Sequence, residues 1–393
     1  MAAFGLDSLS LQFAPGDGPM TASPTWVAIT TDAWNPLVVT RGRGSVHQTF
    51  DAGTMSSVLD NASGDYDPDN TAGTHSPNLN NGIPVRFRAT FNTITYPVFW
   101  GQMSKLTRLY RAGGGAWSQL EVTESLGILQ STRLAAEAYS VESTDTRIGN
   151  VLDTAGWPAG KRNLDSGVAD VAAVTFTGSA QGLINQALEA EQGRLYVERN
   201  GDLAFKNRVA YSSATAAATF GPGGGELDYL EPLQPSSDDE LLINLAEITP
   251  AAVDKSRTSQ DATSITDHGE QSYTSTNTSI IGGPDALNVA EWITGNYADP
   301  QTRAPRVKIA PQKDPTNLWP EVLGRELGDV IRIKHTPPAG DQVNILVTVE
   351  GIQHELAGGL WLTTYRLAPL STLAGGDFWI LGTSQLDTTT VLA

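Results

Sequence analysis

Asp65-Tyr-Asp-Pro-Asp-Asn70 sets three carboxylates at alternate positions, the spacing that opens a calcium-binding loop. Counted from Asp65, the twelfth position is Ser76, where such a loop needs a bidentate glutamate, and Pro68 removes a backbone donor from its middle. The expectation is therefore a turn in which each aspartate accepts from nearby backbone amides, and no metal is assigned. His47, His75, His268, His335 and His354 are scattered, with no H-x-x-x-H spacing, and His354 reads as a satisfied surface residue of a hairpin. Asp238-Asp239 and Glu189 with Glu191 are acidic pairs of the kind a glycosidase uses, but 43 acidic residues produce such pairs by chance. No nucleophile elbow or phosphate loop occurs, and Gly221-Pro-Gly-Gly-Gly225 lacks the lysine and helix of a phosphate cradle. With no cysteine, a thiolate nucleophile, a thiolate metal site and a disulfide framework are excluded. Most of the nine tryptophans fall at strand or helix positions suited to a core rather than to sugar stacking. No catalytic, cofactor or metal residue is assigned, and the expectation is a non-enzyme.

The elements that would carry any site are mostly strands. Gly, Pro, Ser and Thr are frequent and few segments have helical periodicity, so the fold class is mainly β with an α+β insertion. The best-patterned stretch is Gly82–Glu124: VRFRATF alternates, Asn92-Thr93 turns, TYPVFWGQMSKLTRLY returns, Gly113-Gly114-Gly115 turns, and WSQLEVTE closes. A similar stretch runs from Gly328 to Pro369. Gly82, Val85, Arg86, Phe87 and Arg88 lie over Gly328, Ile331, Arg332, Ile333 and Lys334 at one spacing (328 − 82 = 246). Gly101 over Gly351 and Trp117 over Trp361 extend the match with small drifts. If the sheet is duplicated, Arg86, Arg88, Arg332 and Lys334 should occupy equivalent positions.

Three helices are expected: Asp145–Ala155, a helix after the cap Ser179 ending at Gly193, and Pro284–Asn296. Asn200-Gly201 marks a hairpin. Strands are expected at Leu9–Phe13, Trp26–Thr30, Leu37–Arg41, Ser45–Phe50, Thr54–Leu59, LDYLEPL from Leu227, ELLINLAEIT from Glu240, and Val307–Ala310; Thr258–Ser279 reads as weakly structured. The division is 1–125 (a first β domain), 126–226 (the insertion), 227–304 (connecting strands and helix), 305–373 (a second β domain) and 374–393 (a tail carrying the apolar Phe378–Leu386).

A formal charge of −18 argues against a nucleic-acid-binding surface, which needs clustered cations. The N-terminus lacks the pattern of a signal peptide, no run is long and apolar enough to span a bilayer, and synthesis and folding in the cytoplasm are expected.

Several segments of the chain, in their order, resemble the minor tail proteins of siphophages, especially those infecting actinobacteria. They are Trp26-Val-Ala-Ile-Thr-Thr-Asp32, Arg41-Gly-Arg43, Leu59-Asp-Asn-x-x-Gly64-x-Tyr66-x-Pro68-x-Asn70, Glu191-x-Gly193-x-Leu195-Tyr196, Asn200-Gly201-x-Leu203-x-Phe205-x-x-Arg208, Tyr297-x-Asp299-Pro300-x-x-Arg303 and Phe378-Trp-x-Leu381-Gly-x-Ser384-x-Leu386-Asp387. The resemblance implies a tail-tip, or baseplate, hub: a homotrimer in which each chain carries two tail-tube-like β domains, so that six meet a hexameric tube. Implied partners are a distal tail protein or tail tube above, spike or fibre proteins below, and a tape measure protein in the lumen, with no cofactor. Alternatives are a hexameric distal tail or glycan-binding receptor protein, and a cell-wall-degrading tail enzyme using an acidic pair in 126–226.

Overall fold

A computed structural model describes residues 5–44, 48–112, 114–210, 215–237, 241–250, 255–300, 302–340 and 342–370. The first strands are β1 (Ser8–Phe13), β2 (Val27–Ala28), β3 (Ala33–Gly42), β4 (Asp51–Asp60), β5 (Pro84–Phe91), β6 (Ile94–Tyr110) and β7 (Ala116–Thr123). The middle comprises α1 (Leu126–Ser131), β8 (Arg133–Tyr139), β9 (Glu142–Ser143), α2 (Thr144–Thr154), β10 (Arg162–Leu164), β11 (Asp170–Val171), β12 (Val174–Ser179), α3 (Ala180–Glu191), β13 (Arg194–Val197) and β14 (Leu203–Lys206). After β15 (Thr219–Phe220) come β16 (Ser236–Ser237), β17 (Leu245–Pro250), β18 (Arg257–Gln260), α4 (Ala262–His268), β19 (Ser272–Asn277), α5 (Gly283–Tyr297) and β20 (Thr302–Arg303). The last elements are β21 (Arg306–Ile309), α6 (Pro315–Gly324), β22 (Val330–His335), β23 (Val343–Ala357) and β24 (Leu360–Pro369). The protein is mainly β, as its composition implies.

One 12-stranded sheet holds both of the similar stretches. In the first, β6 pairs with β5 through its opening half and with β7 through its closing half, while β1 flanks β5 and β4 flanks β7. In the second, β23 pairs likewise with β22 and β24, with β15 beside β22 and β21 beside β24. The correspondence reaches individual hydrogen bonds. Gly82 N donates to Met103 O and Met103 N to Ile83 O; 246 residues on, Gly328 N donates to Val349 O and Val349 N to Asp329 O. Immediately after those hydrogen bonds each long strand has a bulge, at Ser104 and at Glu350.

That geometry corrects two of the pairings made from sequence. Lys105, not Gly101, follows the bulge as Gly351 does. Trp117 stands opposite Leu109 and so corresponds to Leu362, one residue from Trp361. A one-residue slip turns a side chain to the other face of a sheet, which is why Trp361 is fully buried and Trp117 is not. Arg86 opposite Trp100 and Arg332 opposite Leu346 share one register position, whereas a bulge at Val98 displaces Arg88 from the Lys334 position.

A single apolar cluster underlies both halves. Val85, Phe87, Ala89 and Phe91 of β5 meet Ile331, Ile333, Trp361 and Tyr365 across Leu318, Trp319, Val322 and Leu323 of α6. Phe87 stacks on Trp361 at 6.0 Å, and Trp319 meets Trp361 edge-on at 5.2 Å. α6 was not expected from sequence; Asp314 caps it, Pro315 starts it, and Pro320 inside it obscures the helical pattern.

The middle segment builds a second cluster from α1, α2, α3 and the β13–β14 hairpin, including Leu129, Ile148, Leu152, Leu183, Ile184 and Phe205. The helix expected at Asp145–Ala155 runs Thr144–Thr154, and Ser179 caps α3 as expected by accepting from Gly182 N. The left-handed residue that ends α3 is Gln192, not Gly193. The opposite face of α3, at Ala187 and Ala190, joins a third cluster with Ile248 of β17 and Ala286, Val289, Ala290 and Ile293 of α5. Thr258–Ser279, expected to be weakly structured, holds β18, α4 and β19. β19 gains its conformation from parallel pairing with β17, a contact no local pattern announces.

The strand expected at Leu227–Leu233 reduces to bridges at Leu227 and Leu230, since Pro232 supplies no ladder donor. Of the strand expected at Ser45–Phe50, residues 45–47 lie outside the described residues and 48–50 are not strand. Phe378–Leu386, with the rest of 374–393, also lies outside the described residues.

Candidate functional site

The Asp65–Asn70 loop carries its own cation. Asp65 accepts from Thr74 N at 2.8 Å and from Ser63 Oγ at 2.7 Å, which holds its carboxyl down to about 2. Arg108 Nη1 donates to Asp67 at 2.6 Å and to Asp69 at 2.5 Å, and the Tyr110 hydroxyl donates to Asp67 at 2.9 Å. The carboxylates are thus spent on amides and on a guanidinium, and no cluster with the make-up of a metal site occurs among the described residues.

Of the two acidic pairs, Glu189 with Glu191 is the one among the described residues, and both of its carboxylates are committed to structural hydrogen bonds. Asp238 and Asp239 lie outside the described residues. Glu189 accepts from Ser275 Oγ, Tyr273 and Asn277, tying α3 to β19. Glu191 is buried and accepts from Val168 N, Ala169 N and Thr144 Oγ1. Both carboxylates hold α3 against its neighbours. His354 is not at the surface. It is 4% exposed, packed on Trp361 and hydrogen-bonded to Thr363 at 3.0 Å; burial first, then Arg41 and Arg199, push its imidazole down to about 3. Trp157, Trp319 and Trp361 are buried, Trp26 lies under Arg86 at 4.0 Å, and Trp100 lies under Lys161 at 4.4 Å.

The densest polar arrangement is one that motif reading did not single out as a site. Arg41-Gly-Arg43 ends β3, and β3 joins the two halves of the sheet: it pairs with β4 on one side and with Gly351–Leu356 of β23 on the other. Arg41 is 2% exposed. Its Nε contacts Glu124 at 2.8 Å, and its Nη2 contacts Glu326 at 2.7 Å and donates to Val197 O at 2.6 Å. Glu124 also accepts from Gly53 N, and Glu326 from Arg199 N. Arg43 Nε contacts Glu350 at 2.7 Å, and Glu350 reaches Arg194 at 3.1 Å. Five segments distant in sequence therefore meet at one buried knot: the end of β7, the β13–β14 hairpin, the turn after α6, β23 and β3.

The electrostatics follow from counting charges. Burial opposes the Arg41 charge, but Glu326 and Glu124 hold its guanidinium above the usual arginine range. One cation serves two carboxylates, and burial pushes Glu124 up to about 7 against the pull of Arg41. Glu350 has two cations. Burial works against its charge as well, yet Arg194 and Arg43 prevail and hold it down to about 2. Gly42 adopts φ +90°, and a Cβ there would collide with the Glu350 carbonyl oxygen, so the spacing between the two arginines requires glycine. The arrangement can bind segments together; it exposes no nucleophile, acid or ligand set.

No family model and no curated protein match the chain. Solved structures do match it along nearly its whole length. A tail protein from Neisseria meningitidis MC58 superposes with a TM-score of 0.63 at 10% identity, covering 93% of this chain and 99% of that one. The 43 kDa tail protein of prophage MuSo2 from Shewanella oneidensis gives 0.57 at 10% identity, covering 93% and 99%. Prophage tail protein gp18 from Listeria monocytogenes EGD-e gives 0.53 at 11% identity, covering 91% and 94%. The chain is thus similar in fold, from end to end, to bacteriophage tail proteins.

Proposed function

We propose that this protein is a structural component of a phage tail, a homotrimeric tail-tip hub that adapts a hexameric tube to a threefold tip. The observation that carries the reading is the repeated four-strand antiparallel unit, β5-β6-β7-β4 and β22-β23-β24-β21, with hydrogen bonds and bulge in matching positions. Two such units per chain give three chains six tube-like units, near-sixfold to one neighbour and threefold to another. On this reading, residues 1–125 and 305–373 are the tube-like domains, and 126–226 and 227–304 are built out from them. The net charge of −18 suits a wall past which DNA slides during ejection. The neighbours are a distal tail or tube protein above, spike or fibre proteins below and a tape measure protein in the lumen, in a virion assembled in the host cytoplasm.

Glycan binding and hydrolysis have weaker support, because Trp157, Trp319 and Trp361 are buried, Trp26, Trp100 and Trp117 carry Arg86, Lys161 and Arg111 over their rings, and Glu189 and Glu191 are committed to holding α3. Imaging of the assembled tail with its symmetry assigned tests the hub: three copies per ring are expected, and six would falsify it.

A further inference from the structure

β6 has half of one edge open. Beyond Met103, on the side where β5 lies, no strand among the described residues pairs with Lys105–Tyr110. Leu109 is 43% and Tyr110 63% exposed there. In the second unit the corresponding half of β23, Gly351–Leu356, is paired on that side with β3, and Ile352 and Leu356 are buried. The chain therefore contains a filled and an unfilled version of one strand-acceptor site. It also contains an unused version of the donor. β3 reaches its acceptor as the strand outside β4. In the second unit β21 takes the place of β4, and the segment outside it is Leu230–Ser237, bridged by Leu230 N to Lys308 O at 2.7 Å and by β16 to β20.

We propose that Lys105–Tyr110 of one copy receives Leu230–Ser237 of a second copy, antiparallel, reproducing between chains the β3–β23 joint found within each chain. The occupant is a second copy because the described residues leave one such acceptor and one such donor over, on different units of the chain. Such a contact is head-to-tail and closes only as a ring. The joint is weaker than its internal counterpart, since Pro232 and Pro235 lack N–H donors. Those prolines also keep the donor edge from indiscriminate pairing before assembly. This inference rests on the hub reading and adds to it the strand that joins the subunits.

The chain has no native cysteine, so paired substitutions give a clean test. Full-length protein carrying Thr107→Cys is mixed with protein carrying Gln234→Cys and oxidised, and a covalent two-chain species is expected only in the mixture. The double variant should give a covalent three-chain ring. Tyr110→Pro removes an outward-facing donor at the strand end, and Tyr110→Phe, which loses the hydroxyl bond to Asp67 but keeps that donor, is its control; light scattering should show single chains for Tyr110→Pro and trimers for Tyr110→Phe. If Tyr110→Pro unfolds the protein, the cross-linking result alone decides. A trimer that neither cross-links nor responds to Tyr110→Pro overturns the strand joint while leaving the hub standing. A hexamer overturns the hub itself, and a wild-type chain that stays single at the highest attainable concentration overturns both.

Discussion

Arg41→Met should be among the most damaging single substitutions at the knot joining the two sheet halves. Methionine keeps most of the volume, so the loss is electrostatic rather than a cavity. It strands Glu124 and Glu326 without their shared cation and leaves Val197 O without its donor. Charge-assisted hydrogen bonds contribute about 1.5–3 kcal/mol each. Three of them overcount, because they share one guanidinium whose desolvation opposes them, and removing one partner of a buried pair costs about 3–5 kcal/mol. We expect about 4 kcal/mol at pH 8, measured by urea denaturation followed by far-ultraviolet circular dichroism and tryptophan fluorescence. The pH dependence supplies a second check. Glu124 already has a raised folded pKa, so its contribution is present below its unfolded value near 4.5 and lost as pH rises through about 7. Without Arg41 that carboxyl moves higher still, so the deficit should be smaller at pH 6 than at pH 8. Lys105→Ala is the control. Its ammonium is 62% exposed and 3.8 Å from Glu121, and its removal should change stability by less than about 0.5 kcal/mol. An Arg41→Met protein within about 1 kcal/mol of wild type at both pH values would refute the argument.

Gly42→Ala meets both a positive φ and a carbonyl oxygen, and should lower stability by about 3 kcal/mol or more, read by the same denaturation series. Acid should destabilise the second sheet half in two stages. The depressed His354 imidazole makes its contribution above the unfolded value of 6.5 and loses it as pH falls toward about 3, and the depressed Glu350 carboxyl loses its own between 4.5 and about 2. His354→Gln should therefore flatten the slope between pH 6.5 and 4, by up to about 1.4 kcal/mol per pH unit; an unchanged slope would show that the imidazole is not held neutral. Calorimetric titration with micromolar calcium should be flat, because Arg108 occupies Asp67 and Asp69; a one-site isotherm would show that the cation displaces the guanidinium.

Where local pattern suffices, sequence and structure agree. Alternation in VRFRATF, the Asn92-Thr93 and Asn200-Gly201 turns and the Ser179 cap all depend on neighbours in the chain, and all stand where expected. The 246-residue spacing was also legible at Gly82 and Gly328, because a strand entry needs the same residue types each time it is built. The match of Trp117 to Trp361 failed because residue identity does not reveal register: the turn 111–115 is one residue longer than its counterpart 357–360, and a one-residue shift puts a side chain on the other face.

The site was legible only as letters. Arg41-Gly-Arg43 can be read in the sequence, and nothing local says that its arginines are buried. What makes them so is that Glu124, Glu326, Glu350 and Val197, up to 309 residues apart from Arg41 (350 − 41), converge on one strand end. Composition and patterning by themselves determined a β-rich, acidic, cysteine-free chain with one unit written twice. Tertiary structure alone decided that the two units share a sheet and a core through β3, that a histidine expected at the surface is buried in it, and that one strand edge is filled while its twin is unpaired among the described residues. Strand pairing between distant segments has no local signature. Its energy comes from contacts that exist only once the chain has folded.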